Sequence, residues 1–455
     1  MPSLSTSLSI ATQALQAQEL ELQVTNNNIA NANTAGYSRE TVSLSESVPS
    51  QNGILTVGNG VTIDSVTSVR DQLLTLAIQG QTSDQSSAEA QVNALNQIQT
   101  LFPSSGTSLA SSLSSFFDSL SAISTNPAST ADRQTALEDA QTLVNQFNSI
   151  SAGLSGPTSG LNSTVSSDVS QINQLSSEAA SLNQELALQN STGQNTGPIG
   201  DQLNQVETQL ASLTNITVTH SSTGDSIITG DGTPLVLGYQ SYALSTTTNA
   251  SGNTQVLDTA GNDITSSISS GDLGGTITVR DTQIPSLLSS LDTLANQFAT
   301  AFNTAQTQGY NQNGTAGTAL FTIPTTVAGS AAAIKLATTD PTQIAASSDG
   351  TSGSNGNVAN LTAVQTEALS SGQSATTQSA NLVYQIGSLT QTATTNAASI
   401  QQSLTALNNQ QGSISGVSID EESANLVQYQ QAYEAAAKVI STLQSLFQTT
   451  INMIQ

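Results

Sequence analysis

The sequence predicts an elongated, mainly α-helical, multidomain chain that carries a small β insert. Three observations point there. Both ends of the chain place apolar residues at heptad spacing. Further heptad runs fill most of the middle. Between residues 215 and 280 the periodicity changes to short alternating stretches cut by glycine turns. Composition agrees with this reading. Of 455 residues only 3% are aromatic and 8% charged, against about a quarter charged in an ordinary globular domain. So few large side chains suit long helices with narrow seams rather than one thick core. The expected organisation has three parts. Residues 1–58 and 412–455 form a paired terminal coiled-coil domain. Residues 59–214 and 281–411 form a central long-helix bundle with small β elements, and 215–280 a small inserted β domain.

Taken in order, Leu8, Leu15, Leu22 and Ile29 are spaced by sevens, with Leu4 and Ala11 in a second seam diluted by Gln18 and Thr25. Leu20 and Val24 mark an extra apolar face. The Asn-rich run from Asn26 through Asn31 to Gly36, Tyr37, Ser38 and Arg39 reads as a helix end and an extended loop, with Gly36 the natural stop. Val61 to Val66 alternates like a strand. Val69, Arg70 and Asp71 open a helix to about Leu101, broken by Pro103 and Gly106. Asn126-Pro127 is a turn, and Ser129 with Asp132 caps the next helix. Gly160 to Leu213 is helical with a break at Gly193 to Gly200.

Short strands are then expected at Asn215–His220, Ser226–Ile228, Leu235–Leu237, Tyr242–Leu244, Thr254–Leu257 and Thr276–Val279, with turns such as Thr223-Gly224-Asp225 between them. Ile284, Leu287, Leu291, Leu294, Phe298, Ala301 and Ala305 form a clean seam that stops near Gly309. β signals follow at Thr322–Val327 and Ile334–Leu336, and then a long helix carries Leu382, Ile386, Leu389, Ala393, Ile400, Leu404 and Leu407. Gly412 and Gly416 make a hinge into the last helix. Ser418 and Glu421 form a capping box there, and Asp420, Glu421 and Glu422 complement the helix dipole. Its seam runs through Leu426, Tyr433, Ala437, Ile440, Phe447, Ile451 and Ile454, and Val439, Leu443, Leu446 and Met453 lie on another face. A helix apolar on more than one face needs more than one neighbour. The two ends are therefore expected to pair and to associate sideways with copies of themselves.

Residues 26–39 resemble the NNIANANTPGYSR signature of the bacterial flagellar axial proteins, which form rod, hook and junction; Ala35 stands where Pro is common. Val417 to Val427 resembles VNLDEELANL, with Ser423 for a frequent Leu, and Gln430 to Ile440 resembles QQAYQASARVI. Rod and hook members share these end motifs. The run holding Phe116-Phe117, Leu120, Asn126-Pro127, Arg133-Gln134 and Phe147-Asn148 is similar to the hook-associated branch that forms the first junction between hook and filament. Hook and rod proteins lack such helices, which are shared with flagellin.

The resemblance implies a non-enzymatic structural subunit of the flagellum, needed for filament assembly and motility, located outside the cell and exported by the flagellar type III route. It implies as partners copies of the chain itself, the hook protein, hook-associated protein 3 and an export chaperone that masks the terminal helix. It also implies that the extra outer domain of larger members is absent, because 215–280 is short. Two alternatives stay open: another axial protein of hook or distal rod, and a secreted adhesin or enzyme built on flagellar ends.

Charge narrows the classes further. The formal net charge is -25 with six basic residues, which excludes sequence-independent nucleic-acid binding and disfavours an anionic membrane surface. There is no cysteine, and no apolar run reaches transmembrane length, so no membrane insertion is expected. The first basic residue is Arg39, so the charged start of a secretory signal peptide is not seen. No catalytic constellation, cofactor motif or metal site is expected. The single histidine, His220, beside Ser221 and Ser222, reads as a solvated surface residue. Each isolated cation in so acidic a chain, Lys438 and Lys335 included, is expected to have a dedicated carboxylate or carbonyl partner, arginine being suited to planar, bidentate pairing. Subunit contacts are expected at Leu8, Leu15, Leu22, Ile29, Asn31, Gly36, Tyr37, Arg39, Leu426, Tyr433, Lys438, Ile440, Phe447 and Ile451.

Overall fold

The computed structural model describes residues 2–52, 55–103, 108–221 and 224–454. Gly106, Ser222 and Thr223, named above as a helix breaker, a neighbour of His220 and a turn residue, lie outside the described residues. The chain begins with α1 (Pro2–Asn31), followed by β1 (Glu40–Glu46), β2 (Ser50–Asn52), β3 (Leu55–Val57) and β4 (Val61–Ser68). β1 pairs antiparallel with β4 from Glu40↔Ser68 to Glu46↔Val61, with a register shift at Ser43/Leu44, and β2 pairs with β3 at the tip. This hairpin runs along α1.

The central helices follow from caps written in the sequence. α2 (Gln72–Gln99) starts where the Asp71 carboxylate accepts from the amides of Leu73 and Leu74. α3 (Leu109–Thr125) starts in a Ser108/Ser111 capping box, and α4 (Thr130–Ser155) where Ser129 accepts from the Asp132 amide. α5 (Pro157–Thr192) has Pro in its first turn, and α6 (Gly197–Leu213) returns along it. Six strands come next: β5 (Ile216–Thr219), β6 (Ser226–Thr229), β7 (Pro234–Leu237), β8 (Gln240–Ser241), β9 (Ser245–Thr248) and β10 (Thr254–Leu257). β5 to β8 form one antiparallel sheet in sequence order, and β9 and β10 pair separately.

Two strand expectations fail here. Tyr242–Leu244 is not a strand, because Asn173 on α5 clamps Leu244, accepting from its amide and donating to its carbonyl, both at 2.8 Å. Those backbone groups are then unavailable to a ladder. Thr276–Val279 belongs instead to α7 (Gly271–Thr278) and the π-turn after it. The β-branched residues suggest a strand, but Gly275 lets this helix lie directly on α2. A Cβ there would meet the Ser87 carbonyl oxygen at 2.3 Å.

α8 (Ile284–Thr307) buries the expected seam of Leu287, Leu291, Leu294, Phe298 and Ala305. Short pieces follow: β11 (Phe321–Thr322), α9 (Ser330–Ala333), β12 (Lys335–Leu336) and α10 (Val358–Ala363). α11 (Ala375–Ser415) packs along α2, and α12 (Ile419–Ile454) packs on α1.

Two apolar cores result. The first joins the end of α2 with α3, α4, α8 and α11 around Phe116, Phe117, Phe147, Phe298, Phe302 and Phe321. Their ring centroids lie 5.2–6.4 Å apart. With Phe102 at its edge, seven of the chain's eight phenylalanines sit in this core, so the low aromatic content is concentrated where helices cross. The second core joins α5, α6 and α7 with the inserted strands through Val165, Ile172, Leu210, Ile227 and Val236.

Candidate assembly interface

α1 and α12 run antiparallel. Leu4 and Leu8 line a groove of about 290 Å³ with Leu443 and Phe447, while at the other end Asn28 donates to Glu422 at 3.2 Å. Leu15, Leu22 and Ile29 on α1, and Leu426, Tyr433, Ile440 and Phe447 on α12, are half-buried along this contact. The deepest positions of α1 are instead Ala11, Ala17, Val24, Thr25 and Asn28. Ala11 and Thr25 lie in the second seam and Val24 on the extra apolar face; they are buried more deeply than the first seam because α1 also packs against the β1–β4 hairpin, whose Gly60 sits against Ile10 and Gln13.

α12 is sparsely covered. Among its described residues only Glu422 is buried. Val427, Val439, Leu446 and Met453 are 53, 50, 49 and 75% exposed, and Ile451 is 40% exposed. Lys438 is also exposed and forms no ion pair among the described residues. The placement of the Ile454 side chain lies outside what is described.

The Asn-rich signature closes this helix pair onto the rest of the molecule. α1 ends at Asn31, whose Oδ1 accepts from Thr34 Oγ1 at 3.2 Å. Gly36 turns the chain at φ +81°, and a Cβ there would meet nothing, so backbone conformation is what requires glycine. Asn28 is the centre. Its Oδ1 accepts from the Glu40 amide at 2.9 Å and the Tyr37 hydroxyl at 2.8 Å, and its Nδ2 donates to the Glu40 carbonyl at 2.9 Å and to Glu422. Burial, followed by the nearby charges of Glu40, Asp201 and Glu422, pushes the Tyr37 phenol well above its ordinary pKa. That keeps it a donor.

Around this centre the amide of Arg39 donates to the Ser415 carbonyl at 2.9 Å, and its guanidinium lies 3.6 Å from Glu421. Arg39 thus directs its charge to the last helix of its own chain. Arg70 pairs with Asp201 and donates to Ser38 Oγ at 3.0 Å and to the Gly197 carbonyl at 3.2 Å. Asn195 donates to Glu40 at 2.8 Å. The signature is therefore a polar node joining α1, β1, the α2 start, the α5–α6 loop, the α11 end and the α12 start.

The other arginines also have the expected partners. Arg133 donates to the carbonyls of Pro127 and Ile344 at 2.9 and 2.6 Å. Arg280 pairs with Asp281 at 2.7 Å and donates to the Thr254 carbonyl at 2.8 Å. His220, in contrast, is not a solvated bystander. Its Nδ1 lies 2.9 Å from Asp225, and the two gather with buried Glu207. Glu207 falls on the same helical face as Leu203, Val206 and Leu210, so an acid at a core position was the available signal.

Comparison with known proteins gives three family matches. Residues 95–321 match the flagellar hook-associated protein FlgK helical domain. Residues 8–37 match the flagella basal body rod protein family, and 410–453 the flagellar basal body rod FlgEFG protein C-terminal family. The chain is 30% identical to flagellar hook-associated protein 1 of Bacillus subtilis, over 98% of this chain and 97% of that one. It is 27% identical to flagellar hook-associated protein 1 of Escherichia coli, over 97% and 98%. The solved structure of the flagellar hook junction protein FlgK from Burkholderia pseudomallei superposes with a TM-score of 0.66 at 16% identity. It covers 74% of this chain and 100% of that one, and shares the fold.

Proposed function

The chain belongs to the family of flagellar hook-associated protein 1 and is a structural subunit of the flagellum at the hook–filament junction; from that premise we propose that it builds the first junction zone by assembly-coupled folding of its terminal helices. The observation that carries this is the sparse cover of α12, with Val427, Val439, Leu446 and Met453 between 49 and 75% exposed. Apolar side chains on a long helix order fully when neighbours bury them, so association and ordering are one equilibrium.

The neighbours are copies of the same chain, in head-to-tail helical array, with the hook protein on one side and hook-associated protein 3 on the other. Leu8, Leu15, Leu22, Ile29, Leu426, Tyr433, Ile440, Phe447 and Ile451 hold the helix pair, and Lys438 faces a neighbour. An export chaperone covers α12 before transport through the flagellar type III route to the outside of the cell. The role is architectural and involves no catalysis.

Deleting the gene in its own organism tests this. The expected phenotype is complete hooks without filaments, with filament subunits lost to the medium. Missing hooks would move the protein to rod or hook, and normal filaments would overturn the reading.

A further inference from the structure

We infer that Glu207, His220 and Asp225 form a binding site for one divalent transition-metal ion of the zinc class. Glu207 stands on α6, His220 directly follows β5, and Asp225 directly precedes β6. Both ends of one turn therefore face one helix side chain. A ligand atom from each of the three lies within 4.8 Å of the other two, so small side-chain shifts would bring all three to the ligand distance of about 2.0–2.2 Å from one small cation.

One oxygen of the buried Glu207 carboxylate is free to take a metal. Glu207 is 1% exposed; its Oε2 accepts from Gln79 Nε2 at 3.1 Å, while Oε1 is buried with no donor among the described residues. Its carboxyl lies against that of Asp225, and two carboxylates in contact require a proton or a cation between them. A bound metal takes the place of the proton and releases it. His220 offers its Nδ1, the nitrogen that lies 2.9 Å from the Asp225 carboxylate.

Donor chemistry selects the ion. Two carboxylates and one neutral imidazole balance a double positive charge, and mixed N and O donors suit zinc rather than calcium or magnesium. The nearby Arg70 does not oppose a cation strongly, because Asp201 already neutralises it. The three residues line a cleft of about 780 Å³ with Asn204, Ser221 and Ile414, which gives an entry path and room for a water ligand. A metal here fastens the β5–β6 turn to α6.

Full-length, tag-free protein stripped with a chelator and titrated with zinc chloride near neutral pH tests the site. Expected are saturable uptake of one zinc ion per chain, a rise in Tm with added zinc, and affinity weakened about ten-fold or more in H220Q and E207Q. Both variants should keep the wild-type circular dichroism, since His220 is partly exposed and Gln preserves the shape of Glu207. No saturable uptake at about 100 μM zinc, far above a useful site's Kd, would overturn the inference. Uptake by folded H220Q or E207Q equal to wild type would overturn it too.

Discussion

Asn28 uses both ends of one amide, and no other side chain can do so at this position. Replacing it by Ala leaves the Glu40 amide and carbonyl buried without partners, a loss of about 2–4 kcal/mol. Asn28→Asp should cost more, because a carboxylate would face the Glu40 carbonyl and Glu422; urea unfolding of both variants checks the order. Asp168 gives the pH dependence. It is buried on α5, and burial followed by Asp272 raises it from 3.8 to about 7. A carboxyl raised by folding keeps a proton that the unfolded chain has released. Its contribution is therefore fully present below about pH 4 and is lost as pH rises to about 7. Asp168→Asn should flatten stability across that window, measured as Tm against pH. The residue scale was partly legible. An acidic chain with few cations implied partnered cations; Arg70, Arg133 and Arg280 have partners, whereas Lys438 forms no ion pair among the described residues. The His220 cluster was hidden, because pairing across a turn and onto a helix is a tertiary event that spacing does not record.

Elements were the most legible scale, since caps and seams are local. The limits of α4, α8 and α12 follow from Ser129, from the Leu287–Leu291–Leu294–Phe298 seam and from Ser418. Two misreadings share one cause: at Thr276 and at Tyr242 a neighbouring helix overrode local propensity, through a glycine contact in one case and an Asn173 clamp in the other; the strand expected at Thr322–Val327 is confined to Phe321–Thr322. Two expectations belong to α12. In dilute monomer its amides should exchange with deuterium far faster than those of α3 or α8, and slow on assembly; protected α12 amides in the monomer would contradict assembly-coupled folding. Leu446→Asp should change monomer stability by no more than about 0.5 kcal/mol, as an exposed position does. The same variant should still abolish filament attachment, read by electron microscopy of complemented cells.

At the scale of the molecule, the two cores are separate clusters bridged by α2 and by the α4–α5 run. Phe298→Ala, at the centre of the ring cluster, should cost about 3–5 kcal/mol. Scanning calorimetry should show the loss in the transition of the first core, with the β insert less affected. Helical content was readable from periodicity, and so were most of the short strands after residue 215. How the ends meet the centre was not, because the node is made of polar side chains whose partners lie up to 394 residues away in sequence. That node has a mechanical meaning. Any load applied to α12 would reach the rest of its chain through the Ser415–Glu422 bend. There the Arg39 amide grips Ser415, Asn28 grips Glu422, and Arg70 anchors Ser38 to α6 through Asp201. The shear is divided among three chain crossings working in parallel, so the joint behaves as a welded bracket rather than a single pin.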